Sequence, residues 1–222
     1  MSGKGDKYLD EAYSQFQAGE YKKSKEKAEK ARKVFEKEGL VARSAEALRV
    51  MADAALNMRD MKKASKLYGN LMNMARSKNI AMYQAAASWG FGEIASYQMD
   101  YESAAGHFEA GFQAAKNVAS NWFIAWNAFG LAKAYRGLGR LDETRPLLEE
   151  AQNLFAALNQ PTYVSWVERL ADEINVDIGA GQPSESRVWL CPVCGSKYSL
   201  GMAELLSRGK KVTCEYCGTT VG

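Results

Sequence analysis

No cysteine occurs before Cys191, so no disulfide framework spreads through the fold of this 222-residue chain. All four cysteines fall between positions 191 and 217, which assigns them to one local site. No run of 18 uncharged apolar residues is present; the richest stretch, Asn117 to Ala132, is interrupted by Asn121 and Asn127 and stops at Lys133. A transmembrane helix is therefore not expected. The N-terminus, Met1 to Lys7, passes straight into a charged helical pattern without the apolar core of a secretory signal, and a cytoplasmic location is expected. There is one histidine, His107, with no second histidine or adjacent nucleophile, and it reads as a packing or surface residue. Phosphate loops, nucleophile elbows and dinucleotide fingerprints are also missing, so the sequence predicts a non-enzyme without an evident small-molecule substrate.

What the chain does contain is a repeat. The break Gly19-Glu20-Tyr21 returns as Arg59-Asp60-Met61, Met99-Asp100-Tyr101 and Gly139-Arg140-Leu141, each forty positions after the last. Between breaks the residues fall in columns. Ala12, Ala52, Gly92 and Ala132 are small, as are Ser24, Ala64, Ala104 and Thr144, which lets paired helices approach closely. The columns Ala28, Tyr68, Phe108, Leu148 and Ala31, Leu71, Gly111, Ala151 lie on one helical face and are expected in the core. Each unit reads as two antiparallel helices, Lys4 to Ala18 with Tyr21 to Glu38 in the first. One hairpin cannot bury its apolar face alone, so four should stack. Pro161 opens a ninth helix, expected over Thr162 to Ile178 as a cap with Glu168, Arg169, Asp172 and Glu173 on its polar face. Pro146, five residues after Leu141, predicts a late start or a kink in the last hairpin.

These columns, with the acidic or Gly-containing turn and the following Tyr, resemble the tetratricopeptide repeat (TPR) family in a longer variant whose period is forty. The expected fold is an all-α, TPR-like superhelical solenoid of four helix hairpins plus a capping helix, followed by a small C-terminal β zinc-ribbon domain. The expected units are about 1–39, 40–79, 80–119 and 120–159, with a cap at 160–178, a linker at 179–186 and a ribbon at 187–222. In this family the first helix of each unit lines a concave groove. The resemblance, with spacings of three and four, places there Arg49, Asp53 and Asn57, then Trp89, Glu93 and Tyr97, then Trp126, Phe129, Lys133 and Arg136. The competing reading makes Trp89, Trp126 and Phe129 interhelix core. One branch of the family grips a C-terminal carboxylate with Lys and Asn residues; here Leu9 and Tyr13 stand at the matching places of the first unit.

Cys191-Pro-Val-Cys194-Gly195 and Cys214-Glu-Tyr-Cys217-Gly218 place nineteen positions between two Cys-x-x-Cys pairs. That spacing reads as one tetrahedral site in which Cys191, Cys194, Cys214 and Cys217 hold a single structural Zn2+. Gly195 and Gly218 are expected at positive φ. Short strands are expected at Arg187 to Leu190, Lys197 to Leu200 and Lys211 to Cys214, resembling a zinc ribbon and also rubredoxin, which holds iron; a redox-active dithiol is the other alternative. The apolar Leu200, Met202, Leu205 and Leu206 are expected to dock on the capping helix or a partner. The tail carries five Lys/Arg against Glu204 and Glu215, while residues before it balance at 24 against 24. Four thiolates and one Zn2+ reduce the tail to about +1, little for phosphate binding. The reading is thus an adaptor taking a protein or peptide client, with no membrane. The rivals are a nucleic-acid-associated factor that contacts RNA or DNA through the ribbon, and a redox- or metal-sensing protein.

Overall fold

A computed structural model describes residues 3–179, 191, 198–207, 210–214, 218 and 220–221. Nine helices fill residues 4 to 173: α1 (Lys4–Gln17), α2 (Tyr21–Lys37), α3 (Val41–Asn57), α4 (Met61–Ser77), α5 (Ala81–Tyr97), α6 (Tyr101–Asn117), α7 (Asn121–Gly137), α8 (Thr144–Ala157) and α9 (Pro161–Glu173). Each packs against the next in sequence, and the inner α3, α5 and α7 also pack on one another, which makes the array a helical solenoid.

The backbone repeats at half the period seen in the side chains. Positions 19, 39, 59, 79, 99, 119, 139 and 159 all have positive φ, evenly spaced along the chain. Beside each, the following N–H closes the helix on the carbonyl five residues back, as in Glu20 N–H to Gln15 O at 2.8 Å, Asp100 N–H to Ala95 O at 3.0 Å and Gln160 N–H to Phe155 O at 2.9 Å. This left-handed cap satisfies the terminal carbonyls and reverses the chain in three residues. Only three of the eight positions are glycine; Arg59, Met99 and Ala119 hold the conformation against a steric cost. Asp60 and Asp100 then cap α4 and α6, accepting from Lys63 N–H and Ser103 N–H at 3.1 Å each.

All sixteen column residues are buried. The third column shows why small residues recur. The Phe108 ring lies between α5 and α7 where a Cβ on Gly92 or Gly130 would come within 2.6 or 2.3 Å of it, and Tyr68 lies equally close to Gly90. Close approach of backbone to ring is what these glycines permit.

The end of the ninth helix is corrected, and the late start expected at Pro146 is met. The ninth helix ends at Glu173 rather than Ile178, because Asn175 turns left-handed at φ 54° and Val176 N–H bonds back to Ala171 O at 2.9 Å. Pro146 enters as the third residue of α8, after a 3-10 turn at Leu141–Glu143, so it removes no interior helical bond. In the tail, the strand expected from Lys197 does not reach Leu200: Tyr198 and Ser199 are irregular and Leu200 begins helix α10 (Leu200–Ser207). The strand expected at Lys211 to Cys214 is present as β1 (Val212–Thr213), paired antiparallel with β2 (Thr220–Val221), Val212 opposite Val221. Arg187 to Leu190, Gly195, the linker beyond Gly179, and the ligand candidates Cys194 and Cys217 lie outside the described residues.

Candidate functional site: the inner groove

The odd-numbered helices turn one face inward around a cavity of about 840 Å3 that runs from α1 to α9. Of the outer helices only α2 reaches it, through Tyr21 at its first turn. Eleven of its twenty-two lining residues are aromatic, including all four tryptophans among the described residues. Nine of the ten expected groove residues line it; Arg136 lines a smaller adjoining cleft with Arg169 and Trp166.

The polar residues are tied to one another. Glu46, buried to 1% exposure, receives the Tyr13 hydroxyl and two bonds from the Arg49 guanidinium, at 2.6 and 3.0 Å. Arg49 also pairs with Asp53, whose other oxygen accepts the Tyr68 hydroxyl at 2.6 Å. Asn57 donates to the Asp53 carbonyl at 2.9 Å and is otherwise exposed. This places two carboxylates on one guanidinium, a buried group of net charge −1. Burial pushes the Glu46 carboxyl up, but the Arg49 guanidinium and the hydrogen bonds outweigh it, leaving its pKa below the ordinary carboxylate range. For Asp53, burial prevails over Arg49 and its pKa is raised. Arg49 and Asp53 therefore shape the floor of the groove. Further along, Lys133 pairs with Glu93 at 2.7 Å and lies 5.3 Å from the Phe129 ring centre, and Arg136 pairs with Glu173 at 2.7 Å.

The α7–α9 end is an aromatic cluster. Trp126 is its centre, at 5.7 Å from Trp89, 4.8 Å from Tyr163 and 6.2 Å from Trp166, all edge to face. Trp89 and Trp126 are half-buried, Phe129 is buried, while Tyr97 and Trp166 are 48% and 43% exposed. The two readings of these rings are thus both partly met: they pack on the core and face the cavity. Trp122, Tyr163 and Trp166, and Tyr13 and Phe16 at the other end, were not among the expected groove residues. Their signal was available in the spacings Trp122-Trp126-Phe129 and Tyr163-Trp166, but α9 read only as a cap. Leu9, by contrast, is fully buried core, and His107 is an exposed residue of α6 whose ring lies 5.5 Å from Phe91.

In the tail, Cys191 and Cys214 are 1% and 2% exposed and belong with Tyr198 and Val212 to the continuous core cluster. Gly218 has the expected positive φ, 72°, and its N–H donates to the Cys214 carbonyl at 2.8 Å, closing the second Cys-x-x-Cys turn. A Cβ on Gly218 would lie 3.4 Å from Cδ of Arg43, so the turn rests on α3. Met202 and Leu206 are half-buried against the core cluster; Leu205 remains 38% exposed.

These features define a class: an all-helical repeat solenoid with an aromatic-lined inner groove. No protein-family model matches the chain, and no curated protein matches it. No helix among the described residues is long and apolar enough to cross a membrane.

Proposed function

We propose that the chain is a non-enzymatic adaptor of TPR type that takes a peptide or protein segment in its inner groove, with a four-cysteine zinc ribbon at the C-terminus. The observation that carries this reading is the aromatic lining of one long cavity, half open at Tyr97 and Trp166. Aromatic anchors in desolvated pockets supply most of the affinity in such interfaces, whereas paired surface charges supply register. Because Arg49, Asp53, Glu93 and Lys133 already satisfy one another, the client is bound chiefly by apolar or aromatic side chains at the α7–α9 end.

For the tail, the burial of Cys191 and Cys214 and the closed turn at Gly218 fit a thiolate site completed by Cys194 and Cys217. Bound there, Zn2+ supplies a cross-link that replaces the core so short a segment lacks.

The test is a pull-down from native extract treated with nuclease, comparing the full chain with Tyr97→Ala/Trp166→Ala. Both side chains are exposed, so the variant keeps its helical circular dichroism. Client capture falls at least about tenfold, the cost of a lost aromatic anchor. Undiminished capture by the folded variant rules the groove out.

A further inference from the structure

The net charge of +3 conceals a division between the outer helices. Helix α2 carries eight Lys/Arg against three Glu, and α4 carries four Lys/Arg and no acid. The next outer helices are each net −1: α6 has Lys116 against Glu102 and Glu109, and α8 has Arg145 against Glu149 and Glu150. Cationic charge is thus concentrated on the outside of the first two hairpins, on the side away from the groove.

Pairing does not remove it. In α2, Lys23, Lys27, Arg32 and Lys33 form ion pairs. Lys22, Lys30 and Lys37, like Lys62, Lys63, Lys66 and Arg76 of α4, are exposed and make no ion pair among the described residues. At the junction of the two helices the Lys25 and Lys63 ammonium groups adjoin, and that contact, with partial burial, holds the Lys25 pKa below the ordinary lysine value. Glu29 and Asp60 also face this point, but Glu29 bonds to Lys33 and Asp60 caps α4. Juxtaposed like charges cost stability unless an anion sits across them.

We propose that the outer face of α2 and α4 is a binding surface for the phosphate backbone of a nucleic-acid duplex. The dimensions fit: Lys22 to Lys37 spans about 22 Å along the helix axis at roughly 1.5 Å per residue, and packed helix rows lie roughly 10 Å apart, so the patch meets several successive phosphates. A bilayer fits less well, because neither α2 nor α4 exposes a large apolar side chain to insert between lipids. A single strand fits less well too, since the exposed residues of this face offer no ring for stacking bases. What remains is sequence-independent contact with phosphates spaced along a rigid rod. This surface lies on the outer helices, on the side away from the groove.

The test is fluorescence anisotropy of the full chain with labelled 20-base-pair DNA and RNA duplexes between 50 and 200 mM KCl. The variants are Lys25→Gln/Lys63→Gln/Lys66→Gln, the exposed set Lys22→Gln/Lys62→Gln/Lys66→Gln, and the control Lys116→Gln/Arg145→Gln on α6 and α8. Each triple variant weakens binding at least about tenfold at 100 mM KCl and makes the slope of log K against log salt shallower by about 2 to 3, one phosphate contact per lysine. The control changes neither, and Tyr97→Ala/Trp166→Ala binds duplex normally, which separates this result from failure of the groove. Urea unfolding of Lys25→Gln/Lys63→Gln shows unchanged or raised stability, where a merely structural role would lower it. The proposal is overturned if the triple variants keep the full slope or if the control loses as much. It is equally overturned if polyglutamate, or vesicles of equal parts phosphatidylserine and phosphatidylcholine, bind as tightly as duplex.

Discussion

The hydroxyl of Tyr68 donates to Asp53 Oδ1 at 2.6 Å, a bond from the outer helix of the second hairpin through the core to the groove floor. The same ring packs against Gly90, so one side chain joins the second and third hairpins and orients a buried carboxylate. Tyr68→Phe keeps the ring and removes only the donor to a charged acceptor. It should destabilise the protein by about 1.5 to 3 kcal/mol in urea unfolding. A double-mutant cycle with Asp53→Asn should return most of that as coupling, and additive losses would show that the bond carries none of it.

The buried carboxylates predict a pH dependence with a definite sign. Asp53 has its folded pKa raised above 3.8, so its stabilising contribution is full below that value and is lost as pH rises through the folded one. Glu46, lowered from 4.5, contributes in the opposite sense: its share is present above 4.5 and is lost as pH falls through the folded value. Asp53→Asn deletes the first contribution and leaves the second. On acidification from pH 6 to pH 3 the variant should therefore lose ground to the wild type, by at most about 1.4 kcal/mol per pH unit. Equal slopes, or a gain by the variant, would mean that Arg49 outweighs burial at Asp53.

The helical array was legible because hairpin packing imposes small residues where backbones approach, and the columns Ala12-Ala52-Gly92-Ala132 and Ser24-Ala64-Ala104-Thr144 display them at a fixed period. The halved period of the turns was less visible, since Arg59, Met99 and Ala119 hold a conformation that their side chains do not advertise. At the groove, helical spacing selects a face but not its depth. It grouped Arg49 and Asp53 with Asn57, yet burial within the Glu46–Arg49–Asp53 group depends on Tyr13 and Tyr68 arriving from other helices. The spacing of Tyr163 and Trp166 puts them on one face of α9, but that this face meets Trp126 of α7 is a relationship that no local pattern encodes.

Glycine substitutions separate packing from propensity. Gly130→Ala drives a methyl group to 2.3 Å from the Phe108 ring, which is itself held by Gly92, and overpacking of this kind should cost about 1 to 3 kcal/mol or more. Gly106 is helical with nothing within 4 Å of a new Cβ, so Gly106→Ala should stabilise by about 0.5 to 1 kcal/mol. Thermal unfolding of the two variants should move in opposite directions. Met99, at φ 59° and 74% exposed, tests the turn: Met99→Gly relieves a left-handed residue without removing buried surface, and should raise the melting temperature despite the added chain entropy.

The contact between Gly218 and Arg43 predicts how the tail responds to loss of metal. Arg43 is 9% exposed, pairs with Asp6 of α1 and lies 5.2 Å from the Phe35 ring centre, so it joins the first hairpin to α3. The Cys214–Gly218 turn rests on that side chain. If one zinc ion holds the turn, elemental analysis should find one zinc per chain, and Cys214→Ser or a strong chelator should release it. Helical circular dichroism should barely change, because the caps and most of the core belong to α1 to α9. Hydrogen exchange should nonetheless quicken around Asp6 and Arg43, where the tail no longer covers the ion pair. Release of zinc with unchanged exchange there would mean that the tail covers α3 without help from the metal. Collapse of the helical signal would mean that the solenoid itself depends on the tail, whose Cys191, Tyr198, Val212 and Cys214 share its core cluster.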